Sequence, residues 1–236
     1  VHTEPTTNSL LGDAANTLAW NRIAQEEADA GRTRLPVPAD ISWSTHPGDG
    51  PGAEILGPLT GAVVAELGCG TGDHLAYVAA HGARRAIGID SADHRIRQAR
   101  TRWQHLSAPV WMTGDAAQVL DALPEPVDVC YSIFGALWYS DPERLLPRIH
   151  AALRPGGRLV FSVGRARPGQ LQGARVDNLT LAGGTRLPVV HYSHDATGWT
   201  NLLNRHGFTA VSCIEVPPRP VDANPTLVLT ATRPRR

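Results

Sequence analysis

From residue 62 onward the chain alternates short apolar runs of strand length with stretches of helical length, and no other feature constrains its fold as much. The runs are AVVAEL (62–67), RAIGID (85–90), PVWMTGD (109–115), VDVCYSIF (127–134) and GRLVFSV (157–163). The segments between them predict helices at 72–81, 92–105, 116–122 and 142–153. Strand–helix–strand repeats of this kind build a parallel sheet with helices on both faces. Right-handed crossovers then bring the ends of the strands to one edge of the sheet, where ligands bind in such folds.

Beyond Gly164 the alternation lapses. Two strand-like runs around Gly183 and Gly184, within 175–192, predict an inserted hairpin. A helix is expected at 196–206, stopped by Gly207, and FTAVSCIEV (208–216) and PTLVLTATR (225–233) then read as a closing pair of strands. Turn residues alone separate that pair, so it is expected to be antiparallel. Ahead of the repeat, residues 1–12 are polar and expected to fray. Asp13 reads as the N-cap of a helix running to Gly31. Residues 32–58, rich in proline and glycine, read as ordered loop with one helical turn near Ala53–Leu56.

Composition narrows the chemistry. The 22 basic residues balance 22 acidic ones, which argues against a general polyanion binder, and nucleic acid is not an expected partner. All the basic side chains are arginine, so neither a Schiff-base lysine nor a phosphate-loop lysine exists here. Cys69, Cys130 and Cys213 are too few and too scattered for a disulfide framework, and no Cys/His spacing matches a metal site. Each reads as a small buried residue. No run approaches the roughly 18 apolar residues of a membrane span. The first residues carry neither a basic nor an apolar signal region, so no membrane partner and a cytoplasmic location are expected.

The sharpest local signal is Glu66-Leu67-Gly68-Cys69-Gly70-Thr71-Gly72, which ends a strand and precedes a helix. Glycine supplies the backbone freedom of a tight turn and lets a ligand press on the main chain. A dinucleotide fingerprint would place its third glycine at 73, which is Asp73. The preceding Glu66 would repel a pyrophosphate and attract a cation. Asp90 ends the next strand, where ribose hydroxyls are held in doubly wound nucleotide sites. Gly114-Asp115-Ala116 ends the third strand, where an acceptor can meet an adenine amine. Helix capping accounts for part of the role of Asp90 and Asp115. Three carboxylates ending successive strands beside a glycine turn nevertheless form one pattern.

Taken together, residues 62–163 resemble the core of the class I S-adenosylmethionine-dependent methyltransferases. Glu66–Gly72, Asp90 and Gly114-Asp115-Ala116 match that family's first three motifs. Tyr131-Ser132-Ile133-Phe134 matches its fourth strand, and Leu153-Arg154-Pro155-Gly156-Gly157 the turn before its fifth. The resemblance implies a doubly wound, Rossmann-like α/β fold with a seven-stranded, mostly parallel sheet whose last strand is antiparallel. An N-terminal helical segment and the inserted hairpin would form the cap. The implied division is 1–58 for the helix and cap segment and 59–236 for the methyltransferase domain, with 164–194 contributing to the acceptor site. S-adenosylmethionine is the implied cofactor and S-adenosylhomocysteine its product.

Carried over position by position, Gly68, Gly70 and Gly72 would line the methionine part of the cofactor, with Cys69 and Thr71 between them. Asp90 and its neighbour Ser91 would take the ribose, and Gly114, Asp115 and Ala116 the adenine. The backbone of Ser132, Ile133 and Phe134 would approach the sulfonium and amino groups. Glu66 would hold loop amides, or the cofactor's ammonium through water.

Methyl transfer from a sulfonium is an in-line displacement, so the enzyme mainly aligns the acceptor and excludes water. Aromatic residues outside the core, Trp20, Trp43, Trp138, Tyr139 and Tyr192, suit a planar or cationic small molecule. Trp103, Trp111 and Trp199 read as core. Candidate proton carriers are His191 and His194, flanking the insert's return into a helix, with His46 and Asp141 behind them. The helix after 194 equally needs a cap from Ser193 or Asp195.

Strand four lacks the Asn/Asp-Pro-Pro-aromatic signature of enzymes acting on nucleobases and protein amides. No paired acidic ligands point to a magnesium-dependent catechol enzyme. Methylation at N or O of a small metabolite, in secondary metabolism, is the resulting expectation, by a monomer or homodimer. An RNA-modifying methyltransferase and a catalytically silent cofactor-binding subunit are the alternatives.

Overall fold

A computed structural model describes residues 7–29, 36–219 and 224–235. Its centre is a seven-stranded sheet of β1 (Val63–Leu67), β2 (Arg85–Asp90), β3 (Pro109–Thr113), β4 (Val127–Ile133), β5 (Leu153–Gly164), β8 (Thr209–Val216) and β9 (Thr226–Thr232), in the order β3-β2-β1-β4-β5-β9-β8. The pairs β1–β2, β2–β3, β1–β4 and β4–β5 are parallel. β9 lies antiparallel between β5 and β8, so it is the one reversed strand and the last in the chain. The expected fold is therefore present. Every residue of β1 is buried, as in a sheet covered on both faces by helices.

The helices are α1 (Thr7–Asp29), α2 (Asp73–Ala80), α3 (Asp93–Arg102), α4 (Ala116–Asp121), α5 (Ala136–Tyr139), α6 (Pro142–Ala152) and α7 (Ala196–Arg205). Three have aspartate caps whose carboxylates accept backbone N–H bonds: Asp115 from Gln118, Asp141 from Glu143, and Asp195 from Gly198. Pro142, just inside α6, needs no N–H partner there. Ala53–Leu56 forms the expected single turn of 3₁₀ helix. β6 (Gly173–Thr180) and β7 (Arg186–Ser193) pair antiparallel as the inserted hairpin.

Two boundaries differ from the sequence reading. α1 begins at Thr7, so residues 7–12 are helical, and Asp13 lies inside the helix rather than capping it. The expected stop at Gly31, like residues 1–6, lies outside the described residues. β5 begins at Leu153, because extended backbone around Gly156 and Gly157 exchanges hydrogen bonds with Arg233. Cys69 and Cys130 are buried and Cys213 is half-buried. Among the described residues no helix is long and apolar enough to cross a membrane, and no cluster of His, Cys, Asp or Glu could hold a metal ion.

Candidate functional site

The C-terminal ends of β1, β2, β3 and β4 open into a cavity of about 570 Å³, within the range of small-molecule sites. The loop after β1 forms its floor. Gly68 and Cys69 both donate backbone N–H bonds to the Ile89 carbonyl, at 2.8 and 3.0 Å, which fixes the turn against β2. At Gly68 a side chain would lie 2.6 Å from the Ala136 nitrogen, so the backbone of α5 can approach only because Cβ is missing. At Gly70, where φ is 54°, nothing lies within 4 Å of that position. A side chain there would project into open space on a cavity-lining residue, leaving the main chain bare toward a ligand.

Asp90 accepts the Gly70 N–H at 2.8 Å on Oδ2 and the Ala92 N–H at 2.8 Å on Oδ1. Burial raises its pKa, and these two amides only partly offset that. It does not cap α3, whose cap residue is Ala92 and whose His94 N–H is taken instead by Asn21 of α1 at 3.0 Å. Glu66 is buried beneath the loop and accepts a bond from the Tyr131 hydroxyl at 3.0 Å. Burial pushes its pKa well above the ordinary carboxylate range, and burial also lowers that of His74, 3.8 Å away.

Asp115 is the third carboxylate of the rim. Burial opposes its charge, but Arg144 outweighs this and holds its pKa below the usual range. The guanidinium meets both carboxylate oxygens, Nη1 to Oδ1 at 2.7 Å and Nη2 to Oδ2 at 2.8 Å. Nη2 also donates to Asp13 Oδ2 at 2.7 Å. Burial, Asp115 and Asp141 push Asp13 up to about 6 against the pull of Arg144.

The roof comes from α1 and from the segment after β4. Asp13, Asn16, Thr17 and Trp20 line the cavity from one helical face, at the spacing i, i+3, i+4, i+7. Phe134, also on the wall, holds a left-handed backbone with φ 45°, a strained state for a non-glycine residue that recurs at functional sites. Trp20 meets Tyr139 edge to face, with ring centroids 5.3 Å apart. Burial pushes the Tyr139 hydroxyl up to about 12, so it remains protonated.

Most of the residues carried over for the cofactor meet at this cavity: Glu66, Gly68, Cys69, Gly70, Thr71, Asp90, Ser91, Gly114, Asp115, Ala116, Ile133 and Phe134. Gly72 and Ser132 do not line it. A side chain at Gly72 would overlap the Trp111 ring, so that glycine serves packing, and the Ser132 hydroxyl is buried against the Leu67 carbonyl at 2.8 Å.

On the acceptor side only Trp20 and Tyr139 line the cavity. Trp43 is fully buried below the sheet, donating to the Gly52 carbonyl at 3.0 Å and packing on Tyr131. Trp138 packs against Phe134, Tyr139 and His191 behind the wall, and Tyr192 is likewise not among the lining residues. His191 sits against that Trp138 ring, and His194 lies on Trp199 with Nδ1 3.2 Å from Gln172, so neither histidine reaches the cavity. His46 is exposed and bonds Thr45, and Asp141 is a helix cap. Trp103 and Trp199 are core as expected, and Trp111 is half-buried over Gly72.

Asn16, Thr17, His74 and Arg144 carry no motif in the sequence, and Arg95, which with Arg97, Arg100 and Arg102 reads as solvated helix surface, instead lines the cavity and pairs with Glu27. The i, i+3, i+4, i+7 spacing of polar residues on α1 was the available signal for the first two.

Residues 64–157 match the family described as methyltransferase domain. An S-adenosyl-L-methionine-dependent Diels-Alderase of Talaromyces variabilis is 27% identical over 165 residues, 66% of this chain and 56% of that protein. A trans-aconitate 2-methyltransferase of Paracidovorax citrulli (strain AAC00-1) is 35% identical over 118 residues, 48% of this chain and 44% of that protein. The chain thus spans about half the length of these curated relatives. The solved DhpI–SAH complex shares its fold over 98% of this chain and 100% of that one, with a TM-score of 0.65 at 18% identity.

Proposed function

We propose that this chain, whose residues 64–157 match a methyltransferase domain, works as a class I S-adenosylmethionine-dependent methyltransferase and methylates a nitrogen or oxygen of a small planar or amine-bearing metabolite, in secondary metabolism. The observation that carries this reading is the convergence of a bare main chain at Gly70 with Asp90 and Asp115 on one cavity wall. That wall fits S-adenosylmethionine: a side-chain-free bend for its amino-acid part, Asp90 for ribose hydroxyls and Asp115 for the adenine amine. Its sulfonium supplies an already activated methyl group.

The remaining work falls to the chain's own residues. Asp13, Asp73, Asp90 and Asp115 line the cavity, countered in part by Arg95 on the wall and by Arg144 behind Asp13 and Asp115, while burial disfavours charge on Glu66; the remaining field favours a cationic ligand. Trp20 and Tyr139 offer an aromatic corner against which a flat or cationic acceptor can be held, and α1 above them excludes water. Tyr139, remaining protonated, acts there as a hydrogen-bond donor. The 59–236 methyltransferase unit with 1–58 and 164–194 as cap is part of the same proposal.

A cofactor-dependent reaction without methyl loss is the second reading, suggested by the relative described as a Diels-Alderase. Titration calorimetry with S-adenosylmethionine, followed by a screen of amines, heterocycles and hydroxyl compounds for S-adenosylhomocysteine release, separates the two. Release with a small acceptor supports methyl transfer. Binding without release from any acceptor that is converted supports the second reading, and absence of binding refutes both.

A further inference from the structure

We propose that Arg144 is a positioning residue that couples occupancy of the cofactor wall to closure of α1 over the cavity, acting through Asp115 on the wall and Asp13 on the helix. The inference rests on the cofactor reading above and adds to it a residue that the motifs do not include.

α1 is held down mainly by polar contacts. Among its described side chains the fully buried apolar ones are Ala19 and Ala24, while Leu11 and Leu18 are 65% and 60% exposed. An element with so little buried apolar surface belongs to the part of a fold that opens most readily. Its polar fastenings among the described residues are Asn16 to α5 and β7, Asn21 and the Ala24 carbonyl to α3, Glu26 to the Ala182 N–H of the inserted hairpin, the ion pair of Glu27 with Arg95, and Asp13 with Arg144. Of these, Asp13–Arg144 joins the helix by direct hydrogen bonds to a carboxylate assigned to the cofactor, whereas Arg95 acts on Asp90 through its charge.

One guanidinium serves two carboxylates, so the cluster carries one uncompensated negative charge when both are ionised. Arg144 is 12% exposed at its side chain, and Asp13 and Asp115 are each 23% exposed. Charge repulsion is therefore only partly screened. Asp115 Oδ1 accepts from Arg144 and Gln118 and Oδ2 from Arg144, and the Ala117 N–H also bonds the carboxylate. A purine amine donating to Oδ2 would draw charge from Asp115 and leave Nη2 freer for Asp13. By linkage, whatever factor the nucleoside adds to closure, closure returns to nucleoside affinity.

The test uses the full chain and S-adenosylhomocysteine, reading hydrogen exchange in the α1 peptide 12–24 by mass spectrometry and affinity by calorimetry. In the wild type the nucleoside slows exchange in α1 at least tenfold. In Arg144→Met the gain falls below threefold and affinity drops by up to tenfold, while Arg144→Lys, which retains the charge but not the fork, recovers part of both.

A pH profile separates this from mere structural support. The charged groups acting on Asp13 are Arg144, Asp115 and Asp141. On the other elements packed against α1, His191 of β7 is acted on by Asp177 and Arg175, and Arg95 of α3 is paired with Glu27. Burial favours the protonated form of Asp13, so protection of ligand-free α1, corrected for intrinsic exchange, declines as pH rises through about 6. Asp13→Asn abolishes that decline, and it decides the matter should Arg144→Met fail to fold. A tenfold gain retained by Arg144→Met, nucleoside binding without any change in wild-type α1, or an Asp13→Asn profile matching the wild type overturns the coupling and leaves the cofactor reading standing. A wild type that does not bind S-adenosylhomocysteine overturns both.

Discussion

Asn16 offers a stringent check on how α1 is seated. Its side chain, 4% exposed, donates two bonds through Nδ2, to the carbonyls of Tyr139 and Val190, each at 2.8 Å. Its Oδ1 accepts the Val190 N–H at 2.8 Å. The amide thus completes the hydrogen bonding of β7 as another strand would, with a donor facing acceptors and an acceptor facing a donor. Asn16→Ala leaves three backbone groups without this partner, each costing about 1–3 kcal/mol if it stays dry. Because Asn16 borders the cavity, water can reach some of them, and we expect a loss of about 2–3 kcal/mol.

Asn16→Asp has nearly the same shape and is predicted to be worse at neutral pH. It retains the acceptor for Val190 but turns a lone pair on each of two carbonyl oxygens, for an expected loss of about 3–5 kcal/mol. The introduced carboxylate can relieve this only by taking a proton, so its folded pKa is raised above the unfolded value. The sign follows: variant stability is best below the ordinary carboxylate pKa and falls as pH rises through the raised one. Urea unfolding of wild type, Asn16→Ala and Asn16→Asp from pH 4 to 8 measures all three terms. An Asn16→Asp variant as stable as wild type at pH 7.5, or one with no steeper pH dependence than Asn16→Ala, refutes the seating described.

Asp13→Asn should stabilise the protein at neutral pH: a shift from 3.8 to about 6 corresponds to at most about 3 kcal/mol, and partial exposure reduces the expected gain to about 1–2 kcal/mol. Because the folded pKa is raised, the wild-type deficit relative to the variant grows as pH climbs from 4 to 7, and denaturant curves that stay parallel would contradict it. Gly68→Ala and Gly70→Ala should part company. The first collides with the α5 backbone and is expected to lower stability by more than about 3 kcal/mol, whereas the second costs about 1 kcal/mol yet weakens S-adenosylhomocysteine more than tenfold, read by thermal unfolding and calorimetry. Asp90→Ala should weaken the same ligand more than tenfold, and an unchanged dissociation constant removes Asp90 from the ribose site.

The sheet and the cofactor wall were legible in the sequence for a shared reason: both are written in short, contiguous segments. β1 to β4 each announce themselves by an apolar run, and the residues ending them are chain neighbours of those runs, so finding the strand finds the rim. The acceptor roof is written differently. α1 turns Asp13, Asn16 and Thr17 toward the cavity, so a reading that counts apolar positions misplaces its start and takes a cavity residue for a cap. Trp138 and Tyr139 are adjacent and chemically alike, yet the one-turn helix α5 sends the second to the cavity and the first behind its wall. Arg144 stands 29 positions from Asp115 and 131 from Asp13, and nothing local to α6 marks it. The division has a physical basis: a nucleoside laid along strand ends meets consecutive residues, whereas an acceptor held over it meets whatever separate segments converge above. On the proposed function, acceptor choice in this chain rests on the side chains of α1 and α5 and on the charge balance among Asp13, Arg144 and Asp115, rather than on the glycine loop.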